Sequence, residues 1–280
     1  MLVLDLVNNY SHEIWDGTKK HHNEAVSRVQ NFCFHTGNPK VAEVDAAAVY
    51  NYMRKLAADG LSPATINRHA AAISSVLKFA REMGEDAADF RIKTKKEKNR
   101  LRFFSEDELE SISAYCKRKH VPSWFRDMCN LARYTGMRHS EILKLTDDSQ
   151  AEVYHDDEGM LWIHLFETKN GDERHIAVLH PTARMACLNL STRQKRVPYN
   201  HKEFYKLWAH MRDLIAKGDK QFVFHVFRHT AASHMANELR LNSDVIGQWL
   251  GHRNPATTSK YVHIKKTTIR DIARQMASSA

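Results

Sequence analysis

Four short stretches of this chain hold side chains that can grip a phosphate or move a proton. The first, Thr135-Gly136-Met137-Arg138-His139-Ser140-Glu141, sets an arginine just past a helix-ending glycine, with a carboxylate that could brace a helix or a guanidinium. Alone it reads as a helix C-cap followed by a surface arginine. Lys169 stands in Lys169-Asn170-Gly171-Asp172, where the Asn-Gly pair favours a tight hairpin turn. A lysine there is idle in solvent unless the hairpin enters a DNA groove. In His225-Val226-Phe227-Arg228-His229 two histidines share one helical face. That is also the spacing of a zinc pair. A metalloprotease helix would carry Glu where this chain has Val226, no third ligand has a sequence signature, and the intervening arginine favours an oxyanion over a cation. Finally, Leu250-Gly251-His252 puts a histidine at an exposed corner, followed by Tyr261 and His263. Composition alone does not raise Tyr261 above the other tyrosines.

The elements that must position these residues are mostly helical. Ile66, Ala70, Ile73, Leu77 and Ala80 repeat at helical spacing, after a Ser62-Pro63 start that suits a first turn. Arg68, His69, Lys78 and Arg81 fall on the opposite face. Ala25, Val29 and Phe32 mark an earlier helix ending at Gly37. The first 90 residues read as four or five short helices without a strand. Residues 91–102, RIKTKKEKNRLR, carry seven basic side chains and one acidic, with no apolar period. They read as a solvated linker, with tracking along DNA as the alternative. Beyond it, Ser105-Glu106-Asp107-Glu108 has capping-box spacing, and a helix runs from Trp124 to Tyr134. Residues 160–166 and 175–179 read as two strands of a hairpin, and the rest as helix.

Bulk properties agree with a polyanionic partner. The chain has 280 residues and 32.4 kDa, enough for two domains, and a net charge of +9 with a pI near 9.3. At 42% hydrophobic it is no disordered basic tail. No apolar stretch approaches the roughly 18 residues of a membrane span, and the first residues lack the features of an export signal. Cys33, Cys116, Cys129 and Cys187 are scattered, which supports neither a disulfide framework nor a structural zinc and suits the reducing cytoplasm.

In this order and spacing the clusters resemble one family. YTGMRHSEILKL, ETKNGDERHIAVL, HVFRHTAASHMA and LGHRNPATTSKYVH are together similar to the tyrosine recombinases, the phage-integrase type of site-specific DNA recombinase. LSPATINRHAAAISSVLKFA looks like that family's core-binding domain. The resemblance implies a mainly α fold with a small antiparallel β-sheet, arranged as a two-domain DNA clamp. Its parts would be a helical core-binding (SAM-like) domain over 1–90, a basic linker over 91–102 and a catalytic domain over 103–280 with a C-terminal tail helix.

The same resemblance implies residue roles. Arg138 and Arg228 clamp the scissile phosphate, and Tyr261 is the nucleophile that forms a 3′-phosphotyrosyl intermediate. His225 is proton acceptor or phosphate ligand, Lys169 protonates the departing 5′-oxygen, and His252 bonds the phosphate or positions Tyr261. Glu141 gives structural support near the first arginine, and His229 is a packing residue. No metal or nucleotide cofactor is needed, because the cationic side chains supply the field that a metal gives elsewhere.

The implied partners are double-stranded DNA at attachment or core sites, a homotetramer in the synaptic complex and accessory DNA-bending proteins, with no membrane. Lys19, Lys20, Arg68, Lys95 and Lys96 are candidate phosphate contacts from charge and helix face. Ile269, Ile272, Ala273 and Met276 form the apolar stripe of a tail helix expected to pack on a neighbouring protomer. The chain starts almost directly in the core-binding helices, which fits a short integrase, a chromosome-dimer-resolving type or a longer protein cut before its arm-type domain; a phage, prophage or other mobile-element integrase is the favoured subtype. Two other readings remain at this stage. One is a zinc hydrolase built on His225 and His229. The other is a DNA-binding protein that lost the reaction and uses the helices at His229–Leu239 and Ser243–Leu250.

Overall fold

Several helix ends in this chain fall where the sequence offers a small polar cap or a glycine. Thr18, Asp45 and Ser62 each accept a backbone N–H of the first turn of the helix they precede, and Gly37 closes one in the left-handed conformation at φ +77°. The computed structural model describes residues 1–97, 102–168, 171–192, 201–252 and 258. It divides into two units, Met1–Asn99 and Arg100–Ala280.

The first unit contains α1 (Val3–Ile14), α2 (Lys19–Thr36), α3 (Ala46–Ala58) and α4 (Pro63–Glu82). Leu6, Val29, Phe32, Val49, Ile66, Ile73 and Val76 fill its core. The apolar stripe of α4 is buried as its spacing requires, but His69 departs from the expected outer face. It is 6% exposed, with its Nδ1 2.9 Å from the Tyr52 hydroxyl. A stripe through Ile66, Ile73 and Val76 is wide enough to take in position 69, and Tyr52 supplies the partner that a buried imidazole needs.

The basic run is not all solvated linker. The Lys93 amide donates to the Tyr50 hydroxyl at 2.8 Å, and Asn67 pairs with the Lys95 backbone in both directions at 2.8 Å. Residues 91–97 therefore lie along the first unit. At the other end of the run, Arg102 belongs to the second unit, paired with Glu108 and with Asp219.

The second unit contains α5 (Glu106–Cys116), α6 (Ser123–Thr135), α7 (His139–Lys144), β1 (Ala151–His155), β2 (Leu161–Leu165), β3 (Arg174–Val178), α8 (Pro181–Thr192), α9 (His201–Ala216), α10 (Val226–Asn237) and α11 (Ser243–Leu250). Ser105 and Glu108 form the expected capping box of α5. The sheet is antiparallel in the order β1-β2-β3, one strand more than the two read from sequence. AEVYH was missed because a five-residue edge strand with a single strongly buried position hardly alternates. β2 and β3 pair from Leu161↔Val178 to Leu165↔Arg174, so Leu161, Ile163, Leu165, Ile176 and Val178 are buried while His164 and His175 face outward. The core runs from α6 (Phe125, Met128, Leu131) to an aromatic group of Phe104, Phe204, Trp208, Phe222 and Phe227. No described helix is long and apolar enough to cross a membrane.

Gly136 is the position where the fold leaves least room. It ends α6 at φ +68°, and a Cβ there would stand 2.8 Å from Leu250 Cδ2 and 3.2 Å from Ala231 Cβ. Gly159 has a similar φ of +78° but open space around it. Gly136→Ala adds overpacking to backbone strain and should cost about 2–4 kcal/mol. Gly159→Ala, with strain alone, should cost about 1–2 kcal/mol. Thermal unfolding of the two variants checks the difference, and equal losses would show that α6, α10 and α11 are not packed this closely.

Candidate active site

A helix leaves its last carbonyls without intrahelical partners. At the end of α11 three consecutive ones are each taken by an arginine. The Trp249 carbonyl accepts from Arg174 Nη2, the Leu250 carbonyl from Arg228 Nη2, and the Gly251 carbonyl from Arg138 Nη2 at 3.3 Å. The chain can present them because Gly251 turns left-handed at φ +65°, ending the helix and sending His252 back over the group. Arg228, in the first turn of α10, is 1% exposed and also donates from Nη1 to the Gly136 carbonyl at 3.0 Å, at the end of α6. Two helix C-termini, each with partial negative charge, thus hold one guanidinium.

Three guanidiniums this close repel one another, and Glu141 is the counter-charge. It lies in the first turn of α7 and is 2% exposed. Its Oε2 accepts from Arg174 Nη1 at 2.8 Å and from the Arg138 backbone N–H at 2.8 Å, while Oε1 pairs with Arg138 Nη1. Burial alone would raise its pKa. Arg174, the Arg138 amide, and the charges of Arg138 and Arg228 outweigh that and hold it below the ordinary carboxylate range. Arg174 was not among the candidates read from sequence. A strand beginning at 174 places it on the same side as Ile176 and Val178, and a charged residue on the inward face of a strand is the signal that could have found it. Its Nε is buried without a hydrogen-bond partner among the described residues.

The histidines line the same group. His225 caps α10 and meets His229 edge to face, with ring centroids 4.8 Å apart. Its low-dielectric surroundings, then His229, Arg228 and Arg138, push its pKa down to about 4. His252 has its Nδ1 2.9 Å from the Thr258 hydroxyl, and burial followed by Arg228, Arg138 and Arg174 pushes it down to about 3. The structure therefore brings together Arg138, Glu141, Arg228, His225, His229 and His252, and adds Arg174. Lys169, Tyr261 and the tail residues Ile269, Ile272, Ala273 and Met276 lie outside the described residues. Lys169 follows the end of β2 in sequence, and Thr258 stands three positions before Tyr261. In the first unit Lys19, Lys20, Arg68 and Lys96 are exposed and Lys95 is half-buried. Among the described residues no third acidic, histidine or cysteine ligand converges with His225 and His229.

A cluster of three arginines, two histidines of lowered proton affinity and one carboxylate has the chemistry to meet an oxyanion. Comparisons with known proteins show the family and the fold. The phage integrase family matches over residues 102–268, and the phage integrase N-terminal SAM-like domain over 7–84. The chain belongs to the phage integrase family. As a family member it is 30% identical over 248 residues to the tyrosine recombinase XerD of Caulobacter vibrioides, covering 79% of this chain and 78% of that one. It is 21% identical over 260 residues to transposase B from transposon Tn554 of Staphylococcus aureus, covering 83% of this chain but only 40% of the transposase. In structure it resembles the Tn1549 transposon integrase, solved in complex with transposon right end DNA, with a TM-score of 0.73, 16% identity and coverage of 99% and 100%. The mainly helical fold with its small antiparallel sheet is that of the integrases.

The depressed histidines make the site of this family member sensitive to acid. An unfolded histidine takes up its proton near pH 6.5, whereas folded His225 and His252 do so only near about 4 and about 3. The stability that these groups contribute is complete above pH 6.5 and is lost as the pH falls toward those folded values, because the unfolded chain then binds protons that the folded site excludes. The melting temperature of the full chain should fall between pH 6.5 and 4, and a His225→Gln/His252→Gln variant should show a shallower fall. Parallel profiles would contradict the assignment.

Proposed function

We propose that the chain is a site-specific DNA recombinase that cleaves and rejoins DNA strands through a 3′-phosphotyrosyl intermediate on Tyr261. The observation that carries this reading is the convergence of Arg138, Arg174 and Arg228 on one helix end with a single carboxylate between them. A scissile phosphate gains negative charge as it becomes pentacoordinate. Guanidiniums held in place beforehand stabilise that charge without reorganising. In this reading Arg138, with about a fifth of its side chain exposed, and the buried Arg228 behind it clamp the non-bridging oxygens.

The nucleophile's phenol, with an ordinary pKa near 10, needs a proton acceptor at neutral pH. His225 is neutral in the free protein. A phosphate seated beside it offsets the surrounding cations and raises its proton affinity, so it accepts the Tyr261 proton as the ester forms. His252, already hydrogen-bonded beside Thr258, orients the phosphate or Tyr261. Lys169, which lies between β2 and β3 in sequence, gives a proton to the departing 5′-oxygen. The phosphotyrosyl ester conserves the energy of the broken phosphodiester bond, so rejoining reverses the same steps. No metal enters this scheme.

The partner is duplex DNA. The net charge of +9 supports this, as does the likeness to the Tn1549 transposon integrase, solved in complex with transposon right end DNA. The Met1–Asn99 unit contributes core-site binding, with Lys19, Lys20, Arg68, Lys95 and Lys96 on phosphates, and 91–102 joins it to the catalytic unit. The work is integration or excision of a mobile element by a homotetramer inside the cell, aided by DNA-bending proteins. An apolar groove of about 400 Å³ lined by Leu109, Met235, Leu239, Leu241 and Trp249 fits the tail helix of a neighbouring protomer, with Ile269, Ile272 and Met276 as its contacts.

Supercoiled plasmid incubated with protein in EDTA and quenched with SDS tests the chemistry. Wild type should give covalent protein–DNA adducts or relaxed topoisomers, and Tyr261→Phe neither. Adducts of equal yield in both would remove Tyr261 as nucleophile, and chelator-sensitive cleavage that leaves no covalent adduct would favour a metal-dependent hydrolase.

A further inference from the structure

The outward face of β2 and β3 carries a cluster that the proposed reaction does not use. His164 and His175 are directly opposed in the register, and their rings stack with centroids 4.0 Å apart and planes at 16°. Glu173, on the same outward side two residues before His175, reaches across so that its Oε2 lies 3.0 Å from His164 Nε2. One ligand atom from each of the three lies within 4.8 Å of the others. We propose that His164, Glu173 and His175 form a binding site for a divalent transition-metal ion of the zinc class, which staples β2 to β3.

The donor set is that of such an ion: two imidazole nitrogens and a carboxylate oxygen, with water as the fourth ligand. Tetrahedral bonds of about 2.0–2.2 Å place ligand atoms roughly 3.3–3.5 Å apart. The His164–Glu173 contact of 3.0 Å must open by a few tenths of an ångström, and the two stacked imidazoles must turn out of parallel to aim both nitrogens at one ion, which their open face allows. The surroundings favour a cation over a phosphate. Glu152 on β1 stands opposite His164 in the register, adding a second carboxylate to the row. The Tyr154 hydroxyl lies 3.5 Å from His175 Nδ1, an outer partner that leaves Nε2 for the ion. Phe166 packs edge-on against His164 at 5.0 Å and screens one side. All four cysteines are buried, so no exposed thiol competes.

The site's place on the hairpin gives it a consequence. Arg174, between Glu173 and His175, points the opposite way into Glu141, and Lys169 lies between His164 and Glu173 in sequence. An ion bound here fixes the end of β2 to the start of β3, where Arg174 turns toward Glu141. The site itself is independent of whether Tyr261 cleaves DNA.

Calorimetric titration of zinc chloride into the chelator-treated full chain tests this at pH 7. The comparison is with a His164→Gln/Glu173→Gln/His175→Gln variant, shown by its metal-free melting temperature to be folded, and with His225→Gln. Wild type and His225→Gln should bind one zinc equivalent more than the triple variant, or bind it at least tenfold tighter. Amide exchange over 164–175 should slow with zinc in wild type only. Equal stoichiometry and affinity in wild type and triple variant would overturn the site, as would loss of binding in His225→Gln alone. Zinc binding without slower exchange would overturn the staple.

Discussion

The second unit is organised around the free carbonyls at the end of α11. Any helix must dispose of its last carbonyls, and most give them to water or to a glycine turn. Here Trp249, Leu250 and Gly251 offer theirs to three arginines from three other elements, β3, α10 and the start of α7. A guanidinium suits this better than an ammonium, because its planar fork can bond two groups at fixed angles and stays charged when buried. Arg228 uses that property most fully, bridging the ends of α6 and α11 from a buried position. Carbonyl dipoles alone do not balance three full charges. Glu141 supplies the missing negative charge from inside the cluster, and in doing so ties α7 to β3.

This arrangement explains why residues distant in sequence act at one place. Gly251 ends α11 and closes tightly enough that a Cβ on it would stand 3.1 Å from Arg174 Cδ. His252 therefore follows directly onto the arginine group. Arg174 joins the hairpin to the same centre, so the strand leading away from Lys169 is anchored where Arg138 is anchored. In the proposed reaction the phosphate enters a field that is already assembled. The histidines beside it have a lowered proton affinity chiefly because they are buried, and the neighbouring arginines lower it further.

Much of this was legible in the sequence wherever the cause was local. The Ser105 box, the Gly37 and Gly136 stops and the α4 stripe depend on a few neighbouring residues, and they folded as read. What escaped depends on distant partners. His69 looks like a surface residue until Tyr52 is placed against it, and the 91–97 run looks like free linker until Asn67 and Tyr50 hold its backbone. β1 is too short for its alternation to show. Arg174 was missed for the opposite reason: the pattern was present, but starting the strand at 175 excluded the one charged residue on its buried face. The candidate arginines and histidines were found by their order in the chain. That Glu141 is the buried counter-charge of three guanidiniums could come only from the coordinates.

That counter-charge can be tested by one substitution. Glu141→Gln keeps the shape and removes the negative charge, leaving Arg138 and Arg174 without their ion-pair partner. On a DNA substrate cleaved by wild type, this account predicts that the rate of covalent adduct formation falls by at least about tenfold, equivalent to roughly 1.4 kcal/mol of barrier. DNA affinity should change by no more than a few-fold, because most phosphate contacts lie elsewhere. An adduct rate equal to that of wild type, in a folded Glu141→Gln protein, would contradict the claim that Glu141 holds the arginines in their working positions.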